Sequence, residues 1–285
     1  MITTSSLVRP MQPPRRRSGQ VRIASIDAEW TKNYRIKNGN KPFCFSITWL
    51  DLPSDTPADV TTVPFEYTAV YVDDPGEMDA LVTLAAQTVE TAAESADFIT
   101  GHQFCSDLAV LAANAPDGAL PALTYARAQW MQRRQDSDED TARYLDTRYD
   151  AGHILTGTSR RLVDVCTELG LDVTQPELRS ASMPALHRRW TEDGDAEGRE
   201  RVSVLNLRHS LSTAYVAART AGVGHWPADG FNVNRALAEH AQGAWSWLEH
   251  PTFTRLLEDP CPSESAPLSP SKAPRQPARR RSSTR

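Results

Sequence analysis

Apolar residues in the first third of the chain recur at strand spacing and then at helical spacing. An apolar run over 21–26 predicts a buried strand, and two runs over 43–50 and 61–72, rich in aromatic and β-branched residues, predict two more. Apolar positions at helical spacing over 75–96 predict a helix. Three strands joined by loops indicate an antiparallel meander at the start of the fold.

Strands and helices alternate through the rest of the chain. Short apolar runs over 97–101 and 144–147 predict two further strands. Helical spacing predicts four further helices, over 106–114, 119–135, 159–169 and 199–221. This order of elements predicts an α/β fold with a mixed sheet.

The first predicted strand ends in two acidic residues, Asp27 and Glu29, with a single residue between them. Residues i and i+2 of a strand point to the same face, so the two carboxylates should lie side by side. Like charges in this position repel and raise each other's pKa. A divalent cation removes the repulsion, because Mg²⁺ and Mn²⁺ prefer carboxylate oxygens. The alternative is a solvated strand end, where Asp is common.

A third acid, Asp107, falls in the first turn of the helix predicted over 106–114. The helix dipole favours a negative charge at that end, so Asp107 is either a helix-terminal acid without further function or a third ligand. The two acids upstream favour the second interpretation.

Composition limits the class of protein. The 285 residues are 40% hydrophobic, which is adequate for a sizeable core. No apolar run approaches the roughly 18 residues that a membrane span needs, so we expect no membrane partner. The four cysteines show no CxxC spacing, which predicts reduced thiols and a cytoplasmic location.

The two ends of the chain differ in charge from its body. The first 20 and the last 17 residues carry ten basic side chains and no acid, so the net charge of −5 leaves about −15 on the residues between them. The ends are also rich in Pro and Ser, which predicts a disordered basic head over 1–19 and a disordered basic tail over 259–285. We expect one domain over 20–222 and a helical extension over 223–258.

The acidic positions and their surroundings resemble the DEDD superfamily of 3'–5' exonucleases. The first motif of that superfamily is Asp-x-Glu at the end of the first strand, as at Asp27 and Glu29. Its second motif is a Gly-His-Asn-like turn before a helix that carries an Asp, as at 101–103 (Gly-His-Gln) and Asp107.

The resemblance extends through most of the chain, over about 21–222. Leu-Asp-Thr at 145–147, followed by the Leu-rich segment 159–171, is similar to the family's strand ending in Asp-Thr and its next helix. The last motif would fall within 206–217. The resemblance implies a ribonuclease H-like fold, with a mixed five-stranded sheet flanked by helices.

The resemblance also implies two-metal catalysis with Mg²⁺ or Mn²⁺. Two such ions activate water and stabilise the leaving oxygen during phosphodiester hydrolysis. We expect Asp27, Glu29 and Asp107 to be metal ligands and catalytic residues. His209 would be the histidine that positions or deprotonates the attacking water.

The last motif departs from the family's pattern. The resemblance implies a fourth carboxylate four or five residues after His209, but Thr213 and Ala214 stand there, and a one-residue gap in the alignment would place Ser212 there. We expect His209 and either Ser212 or Thr213 to line the site, and Asp146 is the first candidate for a substitute ligand.

The loop after the first strand contains basic and aromatic side chains that could hold a single nucleic-acid strand. Basic groups would contact phosphates and an aromatic ring would stack on a base. The candidate contacts, with one more from the turn at 101–103, are Trp30, Lys32, Arg35, Lys37, Lys41 and His102. A solvated loop, and a histidine that orders its own turn, are the alternatives.

The leading hypothesis is a metal-dependent 3'–5' exonuclease that acts on single-stranded ends of DNA or RNA. The first alternative is a catalytically degenerate module that binds nucleic acid or protein. The second is a small-molecule enzyme that uses the same carboxylates on nucleotides.

Overall fold

The computed structural model describes residues 1–31, 39–135, 143–178 and 181–258. They form an α/β protein built on one mixed sheet of six strands, in the order β1-β5-β3-β2-β6-β7. The strands in chain order are β1 (Ile2–Ser5), β2 (Gln20–Trp30), β3 (Pro42–Pro53), β4 (Ala58–Asp59), β5 (Phe65–Tyr71), β6 (Phe98–Gly101), β7 (Arg143–Asp146), β8 (Leu171–Asp172), β9 (Gly224–His225) and β10 (Phe231–Asn232). Outside the main sheet, β4 pairs with β9 and β8 pairs with β10.

Helices cover both faces of the main sheet. They are α1 (Met78–Ser95), α2 (Phe104–Ala113), α3 (Leu120–Gln132), α4 (Leu162–Glu168), α5 (Met183–Asp193), α6 (Ala196–Thr220), α7 (Val233–His240) and α8 (Pro251–Thr254). Ala24, Ile26 and Ala28 of β2 share a core with α1, α2 and α3, whereas Ile23 shares a core with α6. Because side chains alternate along a strand, the odd-numbered positions of β2 face α6.

Strand direction determines which strand ends meet. β2, β6 and β7 run parallel to one another, and β3 runs antiparallel between β2 and β5. The carboxyl ends of β2, β6 and β7 therefore lie at one edge of the sheet. This edge brings the end of β2 close to the turn after Gly101 and to Asp146.

Helix α6 is the central helix of the fold. Every residue from 202 to 218 except His209 is buried, so the helix is covered on almost all sides. Residues 223–258 supply the outer cover, because Trp226, Trp245 and Phe253 belong to the same core as α6. A helix that is buried all round needs such cover, which is why the extension packs against it.

A buried ion pair fastens this cover to α6. Arg208 donates to both carboxylate oxygens of Glu177 at 2.7 Å and to Oδ1 of Asn234 at 2.7 Å. The indole of Trp247 donates to the same carboxylate at 3.0 Å. Both charged side chains are 0% exposed, so loss of either partner would leave an uncompensated buried charge.

The prediction of a disordered head over 1–19 is wrong for its first residues, and the sheet has six strands rather than five. β1 pairs antiparallel with β5, and the Ser5 hydroxyl donates to the Tyr67 carbonyl at 2.9 Å. The strand is only four residues long and sits before the Arg- and Pro-rich segment, so composition hid it. Its β-branched residues suit the edge of a sheet. The tail over 259–285 lies outside the described residues.

The sequence pattern also missed α5. Only Leu186 of this helix is buried, so its apolar stripe is too narrow to detect by spacing. Among the described residues, none of the helices combines the length and apolar character required to cross a membrane.

Deleting residues 1–6 should destabilise the protein and promote association. The deletion removes β1 and leaves the edge of β5 unpaired, which is a template for pairing with another chain. We expect the melting temperature to fall, by about 2–4 °C for each kcal/mol of unfolding free energy that the deletion removes. Val8→Ser is the control, since the Val8 side chain is 100% exposed and its replacement should change nothing. An unchanged melting temperature for the deletion would show that β1 contributes nothing.

His187 of α5 should make stability depend on pH. Burial lowers the pKa of His187 to about 4, and its ring stacks on Phe43 and contacts the Tyr71 hydroxyl at 3.1 Å. In the unfolded chain the same histidine titrates near 6.5. Between these pH values the unfolded chain binds more protons, so stability falls as pH drops from 6.5 towards 4. The urea midpoint of His187→Gln should therefore fall less from pH 7 to pH 5 than that of the natural chain. Equal falls would contradict this assignment.

Candidate functional site

The site begins at the carboxyl end of β2. Asp27 and Glu29 lie on the face of this strand that α6 covers, and Glu29 is 8% exposed. α6 runs in the opposite direction to β2, because Asn206 contacts Asp27 while Ser210 contacts Ser25. Successive turns of α6 therefore contact residues of β2 that lie progressively further from its acidic end.

His209 lies between the two acids. Its Nδ1 is 3.2 Å from Oε1 of Glu29 and 3.6 Å from Oδ2 of Asp27. Burial lowers the pKa of His209, but its hydrogen bonds and charge interactions with Asp27 and Glu29 outweigh burial and raise the pKa to about 10. Its other ring nitrogen contacts the side-chain amide of Gln175 at 2.9 Å. The predicted position of His209 beside the two acids is therefore confirmed.

Asp107 completes the acidic cluster from the other side of β2. It is 3% exposed and lines the same pocket as Asp27 and Glu29. Burial raises the pKa of Asp107 well above its ordinary range, and the charges of Asp27 and Glu29 raise it further, while a hydrogen bond from the Ala28 backbone opposes the shift. Three acids whose charges oppose one another in a pocket indicate a cation site or another functional site.

The turn between β6 and α2 aims Asp107 at this pocket. Position 101 requires glycine, because a Cβ there would lie 2.7 Å from Cβ of Phe104. Gln103 adopts a left-handed backbone with φ of 63°, which lets α2 begin at Phe104. The chain therefore reverses within three residues, and the first turn of α2 faces the end of β2.

The prediction that Asp146 substitutes for a missing ligand is wrong. Its Oδ1 accepts the backbone N–H groups of Gln103 and Arg148, and its Oδ2 accepts those of Phe104 and the Trp130 indole, at 2.9 to 3.0 Å. These four bonds use the oxygens of a side chain that is 0% exposed. Asp146 therefore holds the turn that aims Asp107.

His102 orders its own turn rather than presenting a ring to a phosphate. Its Nε2 donates to the Arg160 carbonyl at 2.9 Å, so in the neutral ring Nδ1 accepts from the Thr147 hydroxyl at 3.0 Å. Burial lowers the pKa of His102 to about 4, which keeps the ring neutral near pH 7. A neutral ring with both nitrogens bonded contributes no charge to nucleic-acid binding.

The remaining candidate contacts are only partly described. Trp30 lines the pocket, and Lys41 is exposed at the base of the loop, where its backbone pairs with Thr31. Lys32, Arg35 and Lys37 lie outside the described residues.

Ser212 and Thr213 do not line the site, contrary to prediction. Ser212 donates to the Arg208 carbonyl at 2.7 Å, and both side chains are 1% exposed. Because α6 runs antiparallel to β2, each residue after His209 lies about 1.5 Å further from the acidic end. The residue that reaches Asp27 instead precedes the histidine: Asn206 donates to Oδ2 of Asp27 at 2.6 Å.

Sequence reasoning missed two residues of the site, Asn206 and Gln175. Asn206 lies three residues before His209 on the same side of a helix, and this spacing is the signal that could have found it. Gln175 belongs to the segment that Glu177 anchors to Arg208, and no local pattern marks it.

The arrangement fits a divalent cation. One ligand atom from each of Asp27, Glu29 and His209 lies within 4.8 Å of the others, and Asp107 adds a third carboxylate to the pocket. Carboxylate oxygens are ligands for hard divalent cations, and imidazole is a ligand for transition-metal ions. The pocket has a volume of about 260 Å³, and Trp30, Leu162 and Met183 add apolar wall. A larger cavity of about 420 Å³ between α1 and α3 is lined by Glu90, Glu94 and apolar or aromatic residues, without such a cluster.

Comparisons with known proteins add no family to this description. A scan against protein-family models and a search of curated proteins both found no match to this chain.

Replacing Asp146 by asparagine should destabilise the protein, whereas the same replacement of Asp107 should not. Asp146→Asn places an NH₂ group against buried donors, so we expect a loss of roughly 2 kcal/mol or more in the free energy of unfolding. Asp107→Asn removes a charge that burial and two acids oppose, so stability at pH 7 should be kept or raised. Urea denaturation of both variants measures the difference. Similar losses in both variants would assign Asp107 a structural role as well.

Proposed function

We propose that this chain is a metal-dependent 3'–5' exonuclease that hydrolyses phosphodiester bonds at single-stranded ends of DNA or RNA. The observation that carries the proposal is the convergence of Asp27, Glu29 and Asp107 in one pocket, with His209 in contact with the first two. Acids that repel one another in a pocket are retained for chemistry more readily than for stability.

The sheet supports a ribonuclease H-like fold. β2, β3 and β5 form an antiparallel meander, and β6 and β7 follow parallel to β2, which gives the five-stranded mixed sheet that the resemblance implies. β1 is then an additional edge strand. Because a fold does not fix a function, the proposal rests on the site.

Asp27, Glu29 and Asp107 would hold the metal. When bound, Mg²⁺ or Mn²⁺ would activate water and neutralise the charge that develops on the phosphate. The apolar wall at Trp30 and Leu162 would contact the terminal nucleotide, since an aromatic ring stacks on any base.

His209 would position the attacking water. Its Nδ1 faces the carboxylates of Asp27 and Glu29, and Gln175 contacts the ring from the opposite side. A histidine held at both nitrogens keeps one orientation, which general-base catalysis requires.

A binding module without catalysis is the second candidate. The observation that favours it is that α6 presents the amide of Asn206 to Asp27, while no acid stands at 212–214. Such a module would bind a nucleic-acid end in the same pocket and leave it intact.

The natural chain of residues 1–285 should shorten a 5'-labelled single-stranded oligonucleotide from its 3' end, faster with Mn²⁺ than with Mg²⁺, because Mn²⁺ binds such ligands more tightly. Asp27→Ala should lower the rate on the order of 100-fold or more, since it removes a ligand of the reacting centre. EDTA should abolish cleavage. A gel of the timed products measures all three effects.

Asp117→Asn is the matched control, because Asp117 is exposed and lies outside the pocket. It should cleave at the natural rate. Cleavage that survives Asp27→Ala would assign the activity to another site or to a contaminant. Binding of the oligonucleotide without cleavage under any metal would favour the binding module.

A further inference from the structure

Asn206 contacts Asp27, one of the acids of the cluster. Its side-chain NH₂ donates to Oδ2 of Asp27 at 2.6 Å and to the Asp27 backbone carbonyl at 3.2 Å. The residue is 1% exposed, and its backbone carbonyl accepts from the Ser46 hydroxyl at 3.1 Å. Both contacts on Asp27 are acceptors, so the amide turns its nitrogen, which is the donor, towards the carboxylate.

The position of Asn206 is the one from which α6 can reach Asp27. Ser210, one turn later, already contacts Ser25, and its hydroxyl donates to that residue's carbonyl at 2.9 Å. Ser212 and Thr213 lie further along the helix and are buried away from the pocket. Asp146, the acid on the neighbouring strand end, is committed to four hydrogen bonds. Among the described residues, α6 therefore presents an amide to Asp27 where an acid would complete a four-carboxylate cluster.

We propose that Asn206 limits this site to one divalent cation, and that an acid at the same position would add a second. The inference rests on the proposed function in so far as that function assigns a metal to Asp27, Glu29 and Asp107. It concerns the number of ions, which is separate from whether the chain cleaves nucleic acid.

Two physical reasons lead from the amide to one cation. An N–H group donated to Oδ2 of Asp27 uses the lone pair that a bridging carboxylate would offer to a second ion. Four carboxylates would balance two divalent charges, whereas three leave a net positive charge once a second ion enters the pocket. Asn and Asp have nearly the same shape, so exchange of the amide for a carboxylate changes ligand chemistry with little change in volume.

Calorimetric titration of the full chain with MnCl₂ tests the proposal, with the melting temperature followed in EDTA and in Mn²⁺. The natural chain should bind one Mn²⁺ per molecule. Asn206→Asp should bind two, and Mn²⁺ should raise its melting temperature more than that of the natural chain, because the ion then offsets a fourth buried charge. Asn232→Asp is the matched control: Asn232 is also buried, but it caps α7 far from the pocket, so its stoichiometry should stay at one.

Each result has a separate meaning. Two Mn²⁺ per natural chain, or one per chain in a folded Asn206→Asp, would overturn the inference and leave the exonuclease proposal standing. No Mn²⁺ in the natural chain, together with no cleavage, would overturn both. The stoichiometry of the natural chain needs no variant, so the test remains decisive if Asn206→Asp does not fold.

Discussion

A helix buried on nearly every side cannot leave its polar side chains to water, and α6 carries many of them. Burial of an unpaired polar group costs on the order of 1–3 kcal/mol, so partners within the protein stabilise these groups. Asn206 and Ser210 bond to β2, and Arg208 bonds to the segment around 177. The requirement for partners fixes the rotation of α6 and its register against the sheet. His209, the one residue between 202 and 218 that is not buried, is thereby placed at the pocket.

The site depends on the same constraint, because its acids and its histidine come from different layers. Asp27 and Glu29 extend from a strand paired on both sides, and Asp107 comes from the first turn of a helix held by Asp146. Rigid elements hold side chains more closely than loops do. The Arg208–Glu177 pair links the register of α6 to the extension through Asn234 and Trp247. A change in the extension can therefore alter the site without touching it.

The positions that local strand and helix geometry sets could be predicted from the sequence. The contacts between segments far apart in the chain could not. The shared face of Asp27 and Glu29 follows from strand geometry alone, and the place of Asp107 follows from a strand–turn–helix pattern. The contact of Asn206 with Asp27 depends on the direction of α6 relative to β2, which no local pattern states. Asp146 was misassigned for a related reason: its position at a strand end was correct, but the donors that use its oxygens come from other parts of the chain.

The contact of Asn206 with Asp27 has a genetic consequence. Codons for asparagine and aspartate differ by a single base, so random mutation repeatedly offers this position an acid. Because the two side chains have nearly the same shape, the surrounding core does not have to be rebuilt for the exchange. Such an exchange would replace the N–H donor at Oδ2 of Asp27 by a fourth carboxylate, so the charge of the site would change while every element of the fold stayed in place.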